Sequence, residues 1–71
     1  MTPIIELSQL KIGDTIAYRG PDGHEYYYVV LSFHDRCVEA EKIYATDSSS
    51  IGIRWQFCDP MYFPEKRWFI L

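Results

Sequence analysis

Four side chains of this chain carry the donor chemistry of a metal site or a nucleophile: His24, His34, Cys37 and Cys58. His34-x-x-Cys37 has the spacing at which two neighbouring ligands grip one ion, and Cys58 and His24 would complete a set of four. A structural zinc site ordinarily offers two such tight pairs, and this chain has one. The expected roles are a turn histidine and a half-buried strand cysteine that behaves as a small hydrophobe. Cys37 and Cys58 would bridge only if their Cα atoms came within about 7 Å. With no secretory signal, reduced thiols in a cytoplasm are the expected state.

Glu39 and Glu41 are the other candidate pair. On a strand they project from one face about 7 Å apart, a separation that suits two catalytic carboxylates. A chain of 71 residues has little room for a water-excluding cleft around them. A solvated strand face, paired with Arg54 or Lys42, is the expected role. No Ser/His/Asp or Cys/His set defines a nucleophile, its base and an oxyanion site, and no glycine-rich loop is built for phosphates. Neither catalysis, a metal nor a cofactor is expected.

Composition points toward contact surfaces instead. The chain is 48% apolar and 17% aromatic, with four Phe, two Trp and six Tyr. Each large aromatic buries roughly 150–250 Å², so a few of them build most of a core this small, and the remainder must be partly exposed. Aromatics are enriched at the centres of protein interfaces. A net charge of −3 argues against a broad phosphate-binding face, with carboxylates dispersed from Glu6 to Glu65. Met1-Thr2-Pro3-Ile4-Ile5-Glu6 lacks the charged start and long apolar run of a signal peptide, and no apolar run approaches a membrane span. The start at Met1 and the end on Trp68-Phe69-Ile70-Leu71 are expected to bound a complete cytoplasmic protein of one domain, residues 1–71.

The elements that must position these residues are short strands. After an extended segment at residues 3–7, Leu7, Leu10 and Ile12 pack a turn that Gly13-Asp14 ends. Thr15 to Arg19 reads as a strand, and Gly20-Pro21-Asp22-Gly23 as a turn in which Pro presets φ, Asp bonds locally and Gly accepts a positive φ. His24 to Phe33 reads as a long strand with Tyr26, Tyr28 and Val30 on one face and Tyr27, Val29, Leu31 and Phe33 on the other. Apolar residues on both faces imply a strand covered from both sides, or one that bends between two half-sheets as the closing of a small barrel requires. Arg36 to Ile43 is expected as a third strand. Ile51, Ile53, Trp55 and Phe57 are expected to line the core face of a fourth. Asp59-Pro60-Met61-Tyr62-Phe63-Pro64 suits a 3₁₀-type turn, and Arg67 to Leu71 closes the chain as a fifth strand.

Five strands with hairpin links and a tight helical turn before the last one resemble the plan of an SH3-like barrel, over most of the chain. The expected fold is all-β: a small five-stranded SH3-like barrel with that 3₁₀-type turn. The Ala-Leu-Tyr-Asp-Tyr segment of peptide-binding SH3 domains is absent, and Pro60-Met61-Tyr62-Phe63 only loosely matches their second motif, so proline-peptide recognition does not carry over. The expected function is stoichiometric binding of a partner protein, in the manner of phage or prophage products that inhibit a host enzyme. Tyr62, Phe63, Trp68 and Tyr27 would be the apolar anchors, and Glu39, Glu41 and Arg54 the orienting charges. A homodimer through the open edge of the Arg36–Ile43 strand or of the C-terminal strand is a further expectation. The alternative is binding of RNA or single-stranded DNA by stacking, with Arg54, Lys66 and Arg67 as the basic strip.

Overall fold

Gly20-Pro21-Asp22-Gly23 reverses the chain as its residue types require. Gly23 takes φ +87°, a region closed to most side chains, and Asp22 accepts the His24 backbone N–H at 3.1 Å. The computed structural model describes residues 1–71. It joins β2 (Thr15–Arg19) to β3 (Glu25–His34) at this turn, and β3 to β4 (Cys37–Ala45) at Asp35-Arg36, one residue later than the expected His34-Asp35. The remaining strands are β1 (Thr2–Pro3), β5 (Arg54–Cys58) and β6 (Trp68–Ile70). Single 3₁₀ turns occupy Leu7–Gln9 and Phe63–Glu65.

The six strands form one antiparallel sheet in the order β1-β6-β2-β3-β4-β5. The sixth strand is the N-terminal Thr2–Pro3, held on β6 and followed by Ile4, whose N–H donates to the Trp68 carbonyl at 2.8 Å. No ladder joins β1 to β5, so by its hydrogen bonds the sheet is open. It is nevertheless curled: Phe57 of β5 and Trp68 of β6 meet with ring centroids 4.5 Å apart, across three intervening strands. The core lies inside this curl. It comprises Ile4, Leu10, Ile16, Tyr28, Val30, Val38, Ala40, Phe57, Phe63 and Trp68.

Two bulges set which side chains face that core. Val30 opposes Ala40 but Ser32 opposes Glu39, so Leu31 is an extra residue in β3. Residues directly opposite each other share a face, and Phe33 opposite the buried Val38 is thereby turned to the inner side. This corrects the expected grouping of Phe33 with Tyr27 and Val29. In the same way Tyr27 opposes Tyr44 and Tyr28 opposes Lys42, leaving Ile43 as the extra residue of β4. The bulge sends Tyr44 outward and leaves Lys42 inward, on the opposite face from Glu39 and Glu41. Lys42 is therefore no partner for them.

The strict alternation of residues 51–57 misleads. Ile51 and Ile53 are half exposed and Trp55 is 40% exposed; only Phe57 reaches the core. Ser48, Ser50 and Gly52 all have φ between +54° and +86°, which is incompatible with a strand. Asp47 organises this loop by accepting the N–H of Ser49 at 3.0 Å and its hydroxyl at 2.6 Å. The strand starts at Arg54 instead. Neither expected edge is free either: β4 lies between β3 and β5, and β6 between β1 and β2. The sheet ends at the two-residue β1 and at β5.

Candidate functional site

The inner face of the sheet gathers its aromatics at one end. Trp68, Tyr18 and Tyr26 stand side by side on β6, β2 and β3 because they are register partners. Tyr18 lies 4.9 Å from Trp68 and 6.2 Å from Tyr26, by ring centroids. Tyr28, two residues along β3, packs edge-on against Phe57 at 4.9 Å. On the far side, Phe57 meets Tyr62 edge-on at 5.6 Å. Between these walls lies a groove of about 260 Å³, lined by seven aromatic side chains, with Trp55 completing the set, and by Gln56.

Tyr62 of segment 59–66 stands at one wall, and Phe63 holds the segment in place. Phe63 is fully buried and meets Trp68 at 6.0 Å. Pro64 stands inside the 3₁₀ turn, where its fixed φ favours the bend. Tyr62, just before the turn, is left half-buried at the groove.

Two polar atoms have unusual surroundings, one on Trp68 at the floor and one on Lys42 beside the lining rings. Trp68 Nε1 is the one buried side-chain nitrogen or oxygen without a hydrogen-bond partner, an arrangement that costs about 1–3 kcal/mol. Lys42 is only 5% exposed, and its Nζ lies 4.4 Å from the Tyr26 ring, 5.2 Å from Trp55 and 5.8 Å from Tyr28. Burial, followed by the neighbouring Tyr26 and Tyr18, pushes the Tyr28 hydroxyl up to about 12. At the rim Tyr26 donates its hydroxyl to Asp47 at 3.0 Å, and that bond chiefly raises its own pKa.

The residues expected to form a binding surface separate into three places. Tyr62 and Trp68 both line the groove, Tyr62 at its wall and Trp68, 3% exposed, at its floor. Phe63 is core, so it offers a partner nothing: a flanking Pro-bound turn can direct an aromatic inward as readily as outward. Tyr27, Glu39, Glu41 and Arg54 lie on the outer face. There Tyr27 packs on Tyr44 at 5.0 Å, and Arg54 reaches Glu39 at 3.9 Å. Sequence reasoning missed Tyr18, chose Tyr27 from the Tyr26–Tyr28 run where the groove takes Tyr26 and Tyr28, and assigned Trp55 to the interior. Their signal was the shared parity of Tyr18, Tyr26 and Tyr28 with the buried residues Ile16 and Val30, which only strand register converts into a cluster.

Comparison with family models, with curated proteins and with solved structures gave no match to this chain.

The remaining chemistry-bearing residues are dispersed. Cys37 and Cys58 are direct register partners on β4 and β5, with Cα atoms 4.0 Å apart, and are joined as a disulfide. This overturns the expectation of two free thiols and removes the argument for a cytoplasm that rested on them. His24 meets Thr46 Oγ1 at 3.0 Å and His34 meets Ser32 Oγ at 3.0 Å. No three His, Cys, Asp or Glu side chains converge as a ligand set. A second, wider cleft of about 600 Å³ opens between the Leu7–Gln9 turn and the β3–β4 turn, where Glu6, Asp35, Arg36 and Asp59 mix with Leu7 and Phe33. It is larger, its lining mixes charged, polar and apolar residues, and it converges on no reactive group. No helix is long and apolar enough to cross a membrane.

Proposed function

We propose that this protein is a non-enzymatic binding module that associates stoichiometrically with a partner protein through the aromatic groove. The observation that carries this reading is the groove itself: seven aromatic rings around about 260 Å³, with Trp55 40% exposed at its lip. Rigid aromatic side chains in a partly desolvated pocket are the usual energetic centre of a protein interface. On this reading β2 to β6 act as a five-stranded SH3-like barrel with β1 added to its edge. The strand order and the contact of Phe57 with Trp68 support that description. Tyr62, Trp55 and Tyr18 are the contact residues, and the outer-face charges Glu39, Glu41 and Arg54 take no part. A host enzyme inhibited by the occupied groove is one partner that fits.

The test is affinity capture of the tagged full chain from lysate of its native host, with and without nuclease, repeated with Trp55→Ala, Tyr62→Ala and Arg67→Ala. The expected result is one protein retained near stoichiometrically in both lysates, lost with the two aromatic substitutions and retained with Arg67→Ala. Enrichment that disappears with nuclease, and weakens steeply with salt, would replace this reading with RNA or single-stranded DNA binding.

A further inference from the structure

We propose that β5 is a self-association edge, along which a second copy of this chain pairs antiparallel at Arg54–Gln56 with Trp55 on the two-fold axis. This goes beyond the groove and its partner protein, and its failure would leave that reading untouched.

β5 borders only β4, so one side of its backbone meets no strand. Lys42 donates its N–H to the Ile53 carbonyl, and Asp59 donates its N–H to the Arg36 carbonyl. The register between these two bonds is unbroken, and bonded pairs of an antiparallel ladder fall at every second residue. Trp55 and Phe57 therefore bond to β4, while Arg54, Gln56 and Cys58 turn their N–H and C=O groups outward. The Cys58 carbonyl is taken up by the Tyr62 N–H at 3.1 Å. Arg54 and Gln56 have no backbone partner outside the ladder, and residues 53–56 are all exposed. Sheet edges are ordinarily guarded against a further strand by shortness, a proline, a bulge or an inward-pointing charge. β1, at the other edge, is two residues long and ends on Pro3. β5 has five residues, with no proline, bulge or inward-pointing charge.

The free groups select a second copy as the strand that adds. Arg54 pairs with Gln56 of the partner subunit, and Gln56 with Arg54 of the partner subunit. Each free N–H of Arg54 and Gln56 then meets a free carbonyl and none is left over, so the same patch serves both sides of a two-fold. The adjacent registers that keep bonded groups aligned both fail. A slip one way sets Arg54 opposite Arg54 of the partner subunit, a like-charge pair. A slip the other way needs the Cys58 carbonyl, which Tyr62 occupies. In the remaining register Trp55, 40% exposed, faces Trp55 of the partner subunit in a non-bonded pair, where side chains stand closer. The two rings then shield each other from water.

The experiment follows the mass of the oxidised full chain by sedimentation equilibrium from about 50 μM to about 1 mM, with NMR amide exchange at both ends of the range. The expected result is a mass rising toward twice that of the chain, with the Arg54 and Gln56 amides about tenfold slower to exchange at the high end. The Trp55 and Phe57 amides, bonded to β4, should be slow at both. In a mixture of isotope-labelled and unlabelled chain, filtered NOEs should join Arg54 to Gln56 across copies. Gln56→Pro removes an N–H that the monomer does not use, on an edge where proline is tolerated. It should raise the dimer Kd at least about tenfold, and Tyr44→Ala on the outer face should leave it unchanged. A monomer mass throughout, a dimer whose Arg54 and Gln56 amides stay fast, or a folded Gln56→Pro that dimerises as before would overturn the proposal. Should Gln56→Pro not fold, exchange and NOEs in the wild type decide. Slowing of those amides only on addition of a different protein would assign the edge to a foreign strand and overturn the second copy.

Discussion

Removing the Cys37–Cys58 bridge should destabilise this protein more than any exposed substitution, and the position of the bridge sets the size of the effect. The two cysteines are 21 residues apart in sequence. Closing a loop of that length lowers the entropy of the unfolded chain by an amount worth about 3 kcal/mol at 25 °C. In a domain this small, a loss of that size lowers Tm by roughly 15–25 °C. The bridge also has a local role. β5 borders only β4 in the sheet, and the bridge ties its C-terminal end while Ile53 and Gly52 pair with Lys42 at the other. Urea denaturation of the wild type, with and without reductant, measures the difference, and the double variant Cys37→Ala/Cys58→Ala should reproduce the reduced value. The urea m-value should rise on reduction, because an uncrosslinked unfolded chain exposes more surface. Intact-mass measurement after alkylation without reductant establishes the bond. Two alkylated cysteines in the oxidised protein, or a loss below about 1 kcal/mol with the bond present, would refute the reasoning.

Two further outcomes test the core and its titration. Phe63→Ala should cost about 3–5 kcal/mol, since the ring is fully buried between the sheet and segment 59–66; a loss under about 1 kcal/mol by denaturant titration would remove Phe63 from the core. Tyr28 titrates near 12 in the folded protein against 10.0 in its ordinary state. Between those values the unfolded chain carries fewer protons than the folded one, so stability is full below pH 10 and falls as pH rises through about 12. Urea midpoints measured across that range should fall, and the fall should be smaller in Tyr28→Phe.

The all-β class, the Gly20–Gly23 turn, the long strand β3 and the tight turn before the last strand were all legible in the residues. Each depends on local chemistry: a fixed proline φ, a glycine that tolerates a positive one, β-branched and aromatic runs. The face that each side chain occupies was not legible beyond the first bulge. One extra residue, Leu31 in β3 or Ile43 in β4, reverses the parity of every later residue in its strand, and no local propensity announces it. The same limit hid the groove. Tyr18, Tyr26, Trp55 and Trp68 lie on four different strands, and only inter-strand register and the curl of the sheet bring them together. The alternation of Ile51, Ile53, Trp55 and Phe57 carried a strand signal that the left-handed residues Ser50 and Gly52 cut short. The residues alone determined the elements and the excess of aromatics. The tertiary structure decided which aromatics became core and which became groove, because that choice depends on contacts between residues far apart in the chain.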